Sequence, residues 1–434
     1  MKKLIVCAAA LLVFFILQGQ SINKIISTKQ VKKIEKILSA DNMEGRRTFT
    51  PGIAKASSFI EKEFKKIGLQ TFNGAANYRQ DFLMCQSVTT SITVTIDGQP
   101  IADSLVACFS NLPQVSLTQK SGVEIVSIKA GDNAYLQFYK YIASKKSLVI
   151  LVDTSFTELL QRAKKMDKLI AASDSNSIIF IAGNISATHF SINISNTITN
   201  KELNNVVGML PGKSRPAEYV IFSGHYDHLG VGSPVEGAPH NTKDSIYNGA
   251  NDDAAGTTAV IMLAKYFKKL DNNERTIIFV TFAAEELGGY GSQYFSTQLK
   301  PEKVVSMFNI EMIGTDSKWG LNSAYITGFE KSDMGTILQK NLKGTSFAFY
   351  PDPYTEQELF YRSDNATLAR LGVPAHTIST SKMDNELNYH KASDEMGTLD
   401  MVNMAAIIKA IAISSSSIVN GTDTPSRVDT IKLK

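Results

Sequence analysis

The sequence predicts an α/β protein: a mixed, mostly parallel central sheet flanked by helices, with a smaller β-rich domain inserted into it. Three observations lead there. From residue 203 onward, strand-like and helix-like runs alternate strictly. Two amphipathic helical segments stand near the N-terminus. Between them lies a stretch, 90–202, of short β-rich runs with a different rhythm. The composition agrees with a folded enzyme-sized chain. With 434 residues, 43% hydrophobic, 20% charged and 9% aromatic, it is not a disordered, collagen-like or coiled-coil sequence. The length fits two to three domain-sized units, or one large domain with an insertion. A formal charge of only +4 argues against a dedicated nucleic-acid binder, and three cysteines cannot staple a scaffold of this size.

Residues 1–20 read as a cleaved signal peptide. Lys2-Lys3 precede an apolar run from Leu4 to Leu17, which Gln18-Gly19-Gln20 breaks. The run is short for a membrane span. Cys7 lies inside it without the small residue before it that a lipidation site wants. The expectation is export to the periplasm or beyond the cell, with no stable membrane span after cleavage. Cys85 and Cys108 would then remain, and the sequence leaves open whether they pair.

Residues 21–89 are expected to form the leading helices of the catalytic domain. In 28–40, Val31, Ile34 and Ile37-Leu38 recur at helical spacing, and Asp41-Asn42 ends the run. Glu44-Gly45-Arg46-Arg47 reads as a polar loop. Pro51-Gly52 opens a second helix to about Ile67, with Gly68 as its C-cap. The insertion offers strands near 92–96, 123–128, 148–152 and 178–181, and a helix near 156–170. Its His189 has no acidic neighbours and reads as structural. The catalytic segment is placed at 203–417. Strands are expected at 206–210, 219–223, 276–282, 304–310 and 374–380, and helices at 254–270, 291–299 and 400–417. The tail, 418–434, is Ser/Thr/Asp-rich and reads as loose.

The acids and histidines of this segment fall at strand ends. His225 and Asp227 follow one strand, Glu285-Glu286 another, and Glu311 closes a third. Asp252-Asp253 directly precedes a helix, and His390 lies in the loop after the last strand. Open α/β sheets place ligands at that carboxyl edge. Six carboxylates on one rim are costly: each like-charge pair at 4 Å opposes folding by about 4 kcal/mol at an effective dielectric of 20. That is comparable with the roughly 5–15 kcal/mol that holds a domain folded. Divalent cations would offset the charge, and imidazole with carboxylate is a zinc-type ligand set. Singly, each of these pieces is commonplace; five segments converging in this order are not. His228, His240 and His376 lack such support and are left outside the set.

These motifs resemble the di-zinc aminopeptidase family that includes bacterial leucyl aminopeptidases and, more distantly, glutamate carboxypeptidase and the transferrin receptor. The matching stretches are Gly224-His225-Tyr226-Asp227, Asn248-Gly249-Ala250-Asn251-Asp252-Asp253, Ala284-Glu285-Glu286-Leu287-Gly288, Asn309-Ile310-Glu311-Met312-Ile313-Gly314 and Tyr389-His390. Met43 to Leu69 and Asn205 to Gly212 are similar to the family's leading helices and first strand. The resemblance implies a zinc exopeptidase fold binding two Zn2+ ions. Asp252 would bridge them, with His225 and Glu311 completing one site and Glu286 and His390 the other. It also implies Asp227 orienting His225, Glu285 as general base, Tyr389 as a hydrogen-bond donor to the oxyanion, and a cis peptide at Asp252–Asp253. Peptides with a free N-terminus would be the substrates.

The sequence departs from the family pattern at three places. Glu311 stands where many relatives have aspartate, Ala255 where a serine is usual, and Asn365 where a histidine is frequent. A carboxypeptidase or a glutaminyl cyclase on the same fold are nearby alternatives, though the cyclases lack a full second site. An inactive receptor-like module would be missing a ligand or the base. An iron oxygenase using His225, Asp227 and His390 would leave Asp252 and Glu285-Glu286 unexplained.

Overall fold

The computed structural model describes residues 22–142, 144, 146–166, 168–183, 189–232 and 244–433. The signal-peptide reading and Cys7 lie outside these residues. The chain divides into two compact units, one formed by residues up to Asp81 together with those from Asn204 onward, the other by Phe82–Leu203.

The larger unit is built on a mixed sheet with helices on its faces, as the sequence predicts. Its elements are α1 (Thr28–Leu38), α2 (Pro51–Ile67), β1 (the end of Phe190–Leu210), β2 (Arg215–His225), α3 (Ala255–Leu270), β3 (Arg275–Phe282), α4 (Tyr290–Thr297), β4 (Val304–Ile310), β5 (Ser323–Ile326), α5 (Met334–Asn341), β6 (Ala348–Pro351), α6 (Asn365–Ala369), β7 (Ala375–Ser379) and α7 (Met401–Ser414). The strands lie in the order β6-β5-β7-β4-β2-β3-β1. From β7 through β4 and β2 to β3 every pairing is parallel, whereas β1 joins β3 and β5 joins β7 antiparallel. Alternate residues of these strands enter two different apolar layers. Val220, Phe222, Ile277 and Phe279 face one; Ile221, Ile278 and Val280 face the other. A sheet covered on both faces needs continuous apolar strands, and that is what the sequence supplies.

α2 ends on Gly68, whose left-handed φ of 79° caps the helix as expected. β5, α5 and β6 are additions that sequence reading does not find, because two four-residue strands show too few alternations to register. The tail is not loose. Arg275 donates to the Ile418 and Asp423 carbonyls, Arg427 donates to the Val304 carbonyl, and Val428 is buried. One arginine from β3 binds the backbone of this segment, and an arginine within the segment binds the backbone of β4. The stretch Met401–Val419 is long and apolar enough to cross a membrane by composition, but 72% of it is buried within the protein. Met404, Ile407, Ile408 and Ile411 pack into the main core.

Glu35 of α1 is fully buried; its Oε2 accepts from Thr258 Oγ1 at 2.9 Å and its Oε1 has no partner. Burial pushes its carboxyl from about 4.5 up to about 8, against the pull of Thr258 and Arg46. Because the folded-state value is the higher one, the unfolded chain ionises first as pH rises. This group therefore removes stability between about pH 4.5 and pH 8, roughly 5 kcal/mol in all. Denaturant unfolding of Glu35→Gln should show a stability gain over the native chain that grows across that window. A pH-independent difference would remove Glu35 as the cause.

The smaller unit, Phe82–Leu203, has a sheet in the order Val106–Ser110, Ser177–Ala182, Leu148–Val152, Glu124–Ile128. Helices Ala134–Ile142 and Thr157–Lys165 accompany it, the first of them absent from the sequence reading. Phe138 stacks on Phe180 at a centroid distance of 4.3 Å in its core. Cys85 and Cys108 are both buried free thiols.

Candidate metal centre

Because β7, β4, β2 and β3 are parallel neighbours, their carboxyl ends share one edge. His225 ends β2, Glu311 follows β4, and Glu285-Glu286 follow β3. Asp252 sits in a wide turn, Ala250–Ala254, that leads into α3. His390 comes from the loop after β7, 11 residues beyond Ser379.

The structure draws these residues together. His225 Nε2 lies 3.2 Å from Asp252 Oδ1, and His390 Nε2 lies 3.3 Å from Asp252 Oδ2 and 3.2 Å from Glu286 Oε2. Ligand atoms of His225, Asp252 and Glu311 fall within 4.8 Å of one another, and so do those of His228, Asp252 and Glu286. Asp252 belongs to both groups. The donor atoms fit a bound cation. His225 Nδ1 approaches the Asp227 carbonyl oxygen at 3.2 Å, which places a proton there and turns the Nε2 lone pair towards Asp252 Oδ1. Two acceptors so close need a positive charge between them. His225 Nε2 and Glu311 Oε2 are buried with no hydrogen-bond partner, as atoms reserved for a metal would be.

The support beneath these residues is built from carboxylates that grip backbone amides. Asp227 accepts from the amides of Glu285 (3.1 Å) and Glu286 (3.3 Å) and from Thr48 Oγ1. It meets His225 through its main-chain oxygen, its carboxylate being 3.7 Å away. Asp253 accepts from the amides of His225, Gly256 and Met312, so it ties three segments to one side chain. A Cβ at Gly256 would collide with the Ile310 carbonyl, so only glycine allows α3 to start this close to β4. Asp394 accepts from the amides of Asn251 (2.8 Å) and Asp252 (3.0 Å), linking the His390 loop to the aspartate common to both groups. The Asp252–Asp253 peptide is cis, as the family resemblance implies. Ala284, Met312 and His390 hold left-handed φ values of 59°, 52° and 55°, each at or beside a site residue; such backbone strain gathers at functional positions. Below them Arg46, fully buried, donates to the carbonyls of Leu38, Tyr226, Asn248 and Gly249.

The charges are correspondingly perturbed. Burial lifts Glu285 well above the usual carboxylate range; His225 opposes this, and Glu311 and Asp364 add to it. Burial also lifts Glu311, again against His225. For Asp252 burial pushes upward, but the adjoining His225 and His390 imidazoles win and hold it well below the ordinary value. Glu286 is held at about 2: burial and Asp252 raise it, while hydrogen bonds from His228 and His390 outweigh them. Burial would depress His390, yet Asp252 and Glu286 raise it to about 10. Tyr389, beside the same acids, is pushed upward by burial and by Asp252, so it stays a donor. Its ring stacks on His390 at 3.9 Å.

One residue set aside by the sequence reading belongs here. His228 is buried and its Nδ1 lies 2.7 Å from Glu286 Oε1. The signal was its position three residues after His225, on the same strand exit. His376 is as expected: buried in β7, it bonds Ser332 Oγ and the Thr327 carbonyl, away from the centre. His240 lies outside the described residues. A small cavity, about 60 Å3, opens onto the centre, and Asp252, Glu285, Glu286, Glu311, Tyr389 and His390 all line it. His228 does not.

A parallel sheet edge carrying two metal-competent groups that share one aspartate, beside a carboxylate lining a cavity, defines a metal-dependent hydrolase scaffold. Residues 205–414, just under half of the chain, match the model of peptidase family M28. A probable zinc metalloprotease of Leptosphaeria maculans is 34% identical over 117 residues, 26% of this chain and 25% of that protein. Aminopeptidase YwaD of Bacillus subtilis is 29% identical over 121 residues, 27% of this chain and 23% of that protein. The chain thus spans about a quarter of the length of these curated relatives. An aminopeptidase from Aneurinibacillus sp. strain AM-1 shares the fold, with a TM-score of 0.54 at 17% identity over 95% of this chain and 97% of that one.

Proposed function

We propose that the chain is a zinc-dependent aminopeptidase that hydrolyses the N-terminal peptide bond of peptides, and that it holds two zinc ions. The observation that supports this most is Asp252, common to both metal-competent groups, with Glu285 on the wall of the same cavity. His225, Asp252 and Glu311 would hold one ion, and Asp252, Glu286 and His390 the other. His390 takes that place rather than His228 because its Nε2 reaches both Asp252 Oδ2 (3.3 Å) and Glu286 Oε2 (3.2 Å), whereas His228 Nδ1 is hydrogen-bonded to Glu286 Oε1 at 2.7 Å and lies 3.9 Å from Asp252 Oδ2. Zinc, when bound there, would polarise the scissile carbonyl and make water acidic enough to yield a proton near neutral pH.

The protein's own residues do the rest. Glu285 takes the proton from the attacking water and passes it to the leaving amine, a role suited to a carboxylate raised by burial. Tyr389 donates a hydrogen bond to the oxyanion. The substrate's free amine lies beside Glu311. Asp227 fixes Glu285 and Glu286 through their amides, and His228 fixes the Glu286 carboxylate. The signal-like segment 1–20 supports export to the periplasm or the exterior.

Bound metal and hydrolysis test the reading together. The expected result is about two zinc ions per chain by emission spectrometry and chromophore release from leucyl p-nitroanilide but not from its N-acetyl form. Cleavage of N-blocked peptides from a free C-terminus would favour a carboxypeptidase instead. A zinc-loaded protein inert to both substrates would defeat the proposal.

A further inference from the structure

The cavity that opens onto the centre has an electrostatic polarity along its walls. Asp252, Glu285, Glu286 and Glu311 gather at the metal-competent end. Elsewhere the wall is made of apolar and hydroxyl side chains, among them Met312, Tyr325, Leu359 and Met383, and of one permanent cation, Arg362. Arg362 makes no ion pair among the described residues. Its guanidinium makes one hydrogen bond among the described residues, a 3.3 Å contact from Nη1 to Gln357 Oε1, which leaves most of its donors open. Lys382, its neighbour in charge along the cavity's β7 loop, is already paired with Asp316 at 2.9 Å.

The backbone that presents Arg362 is fixed on both sides. The Arg362 amide bonds to the Leu359 carbonyl. Next to it, Ser363 Oγ accepts from Asn309 Nδ2 at 2.7 Å, and Asn309 precedes Glu311 by two residues on β4. Asn365 Nδ2 donates to the Phe360 and Ala375 carbonyls, and its Oδ1 accepts from Thr377 Oγ1. A buried network of Ser223, Asn309, Thr377 and Asn365 thus runs beneath the loop and joins it to the strand that leads into Glu311. A guanidinium on such a base is pre-positioned, and a planar fork of donors matches a carboxylate in particular.

Resting on the aminopeptidase reading, we infer that Arg362 is a specificity-determining residue that binds a substrate carboxylate in the cavity whose other end receives the α-amine. The carboxylate has two sources, the side chain of an N-terminal Asp or Glu and the C-terminus of a dipeptide. Both place a negative group a short distance from the free amine, and a longer, neutral substrate places none there.

The zinc-loaded enzyme and its Arg362→Gln and Arg362→Lys variants test this through ratios of kcat/KM. One arm compares glutamyl with glutaminyl p-nitroanilide; the other compares Leu-Gly with Leu-Gly-amide. In at least one arm the native ratio should favour the carboxylate, fall by about tenfold or more in Arg362→Gln, and recover in part in Arg362→Lys. The arm that moves identifies the source. A ratio unchanged by Arg362→Gln in both arms, or a native enzyme that discriminates against the carboxylate in both, overturns the inference. Leucyl p-nitroanilide turnover by the native enzyme separates the two levels. If it persists while neither ratio moves, Arg362 is excluded and the aminopeptidase reading stands; if no substrate is cleaved, both fail.

Discussion

Replacing Glu285 with Gln should lower kcat by about 10²–10⁴-fold while leaving the metal content of the protein unchanged. The substitution is nearly isosteric. It keeps the main-chain amide that Asp227 accepts at 3.1 Å, so the loop that positions Glu286 is undisturbed. It removes only the capacity to take a proton. Glu285 belongs to neither metal-competent group, so a change confined to kcat is expected, with zinc stoichiometry and thermal midpoint close to native. Loss of zinc along with activity would move Glu285 from proton transfer to metal binding. Retained turnover would remove it from the mechanism altogether.

Metal removal should have the second large effect. Dialysis against a chelator is expected to cut activity by about 10²-fold or more, reversibly on adding zinc. It should also lower the midpoint of thermal unfolding. A ligand present at about 1,000 times its Kd stabilises the folded state by roughly 4 kcal/mol per site. For a unit of this size two such sites correspond to a shift on the order of 10 °C. The cause lies in the rim of acids. Asp252 is buried, the Glu286 side chain is only 8% exposed, and the unpartnered atoms of His225 and Glu311 face the same space. A midpoint indifferent to the chelator would mean that protons alone neutralise the rim.

The framework of the larger unit could be read in the sequence because its strands are buried on both sides and so are written as unbroken apolar runs. The site could be read because three of these runs lead directly into His or Glu. His225, Glu286 and Glu311 are visible for that reason, and Asp252 because it stands where a helix begins. What escaped depends on partners far along the chain. His228 shows no acid of its own until Glu286, 58 residues on, folds against it. Asp394 looks like any loop aspartate until its oxygens meet the amides of residues 251 and 252. Arg46 reads as part of a polar loop, since nothing local says that four carbonyls surround it. The tail escapes for the same reason: composition records polarity, and the groups that fasten it, the Arg275 guanidinium and the Val304 carbonyl that takes Arg427, lie far away in the chain.

Arg46 has a consequence for how the molecule is made. Three of its four carbonyl acceptors, on Tyr226, Asn248 and Gly249, lie 180 to 203 residues further on. During synthesis at about 5–20 residues per second, the guanidinium must wait roughly 10–40 s, solvated and uncommitted, while the whole of Phe82–Leu203 is produced. The smaller unit can close in that interval; the larger one cannot. A fragment trimmed to residues 205–414 would lack this arginine altogether, and with it the clamp that sets the floor beneath the bridging aspartate.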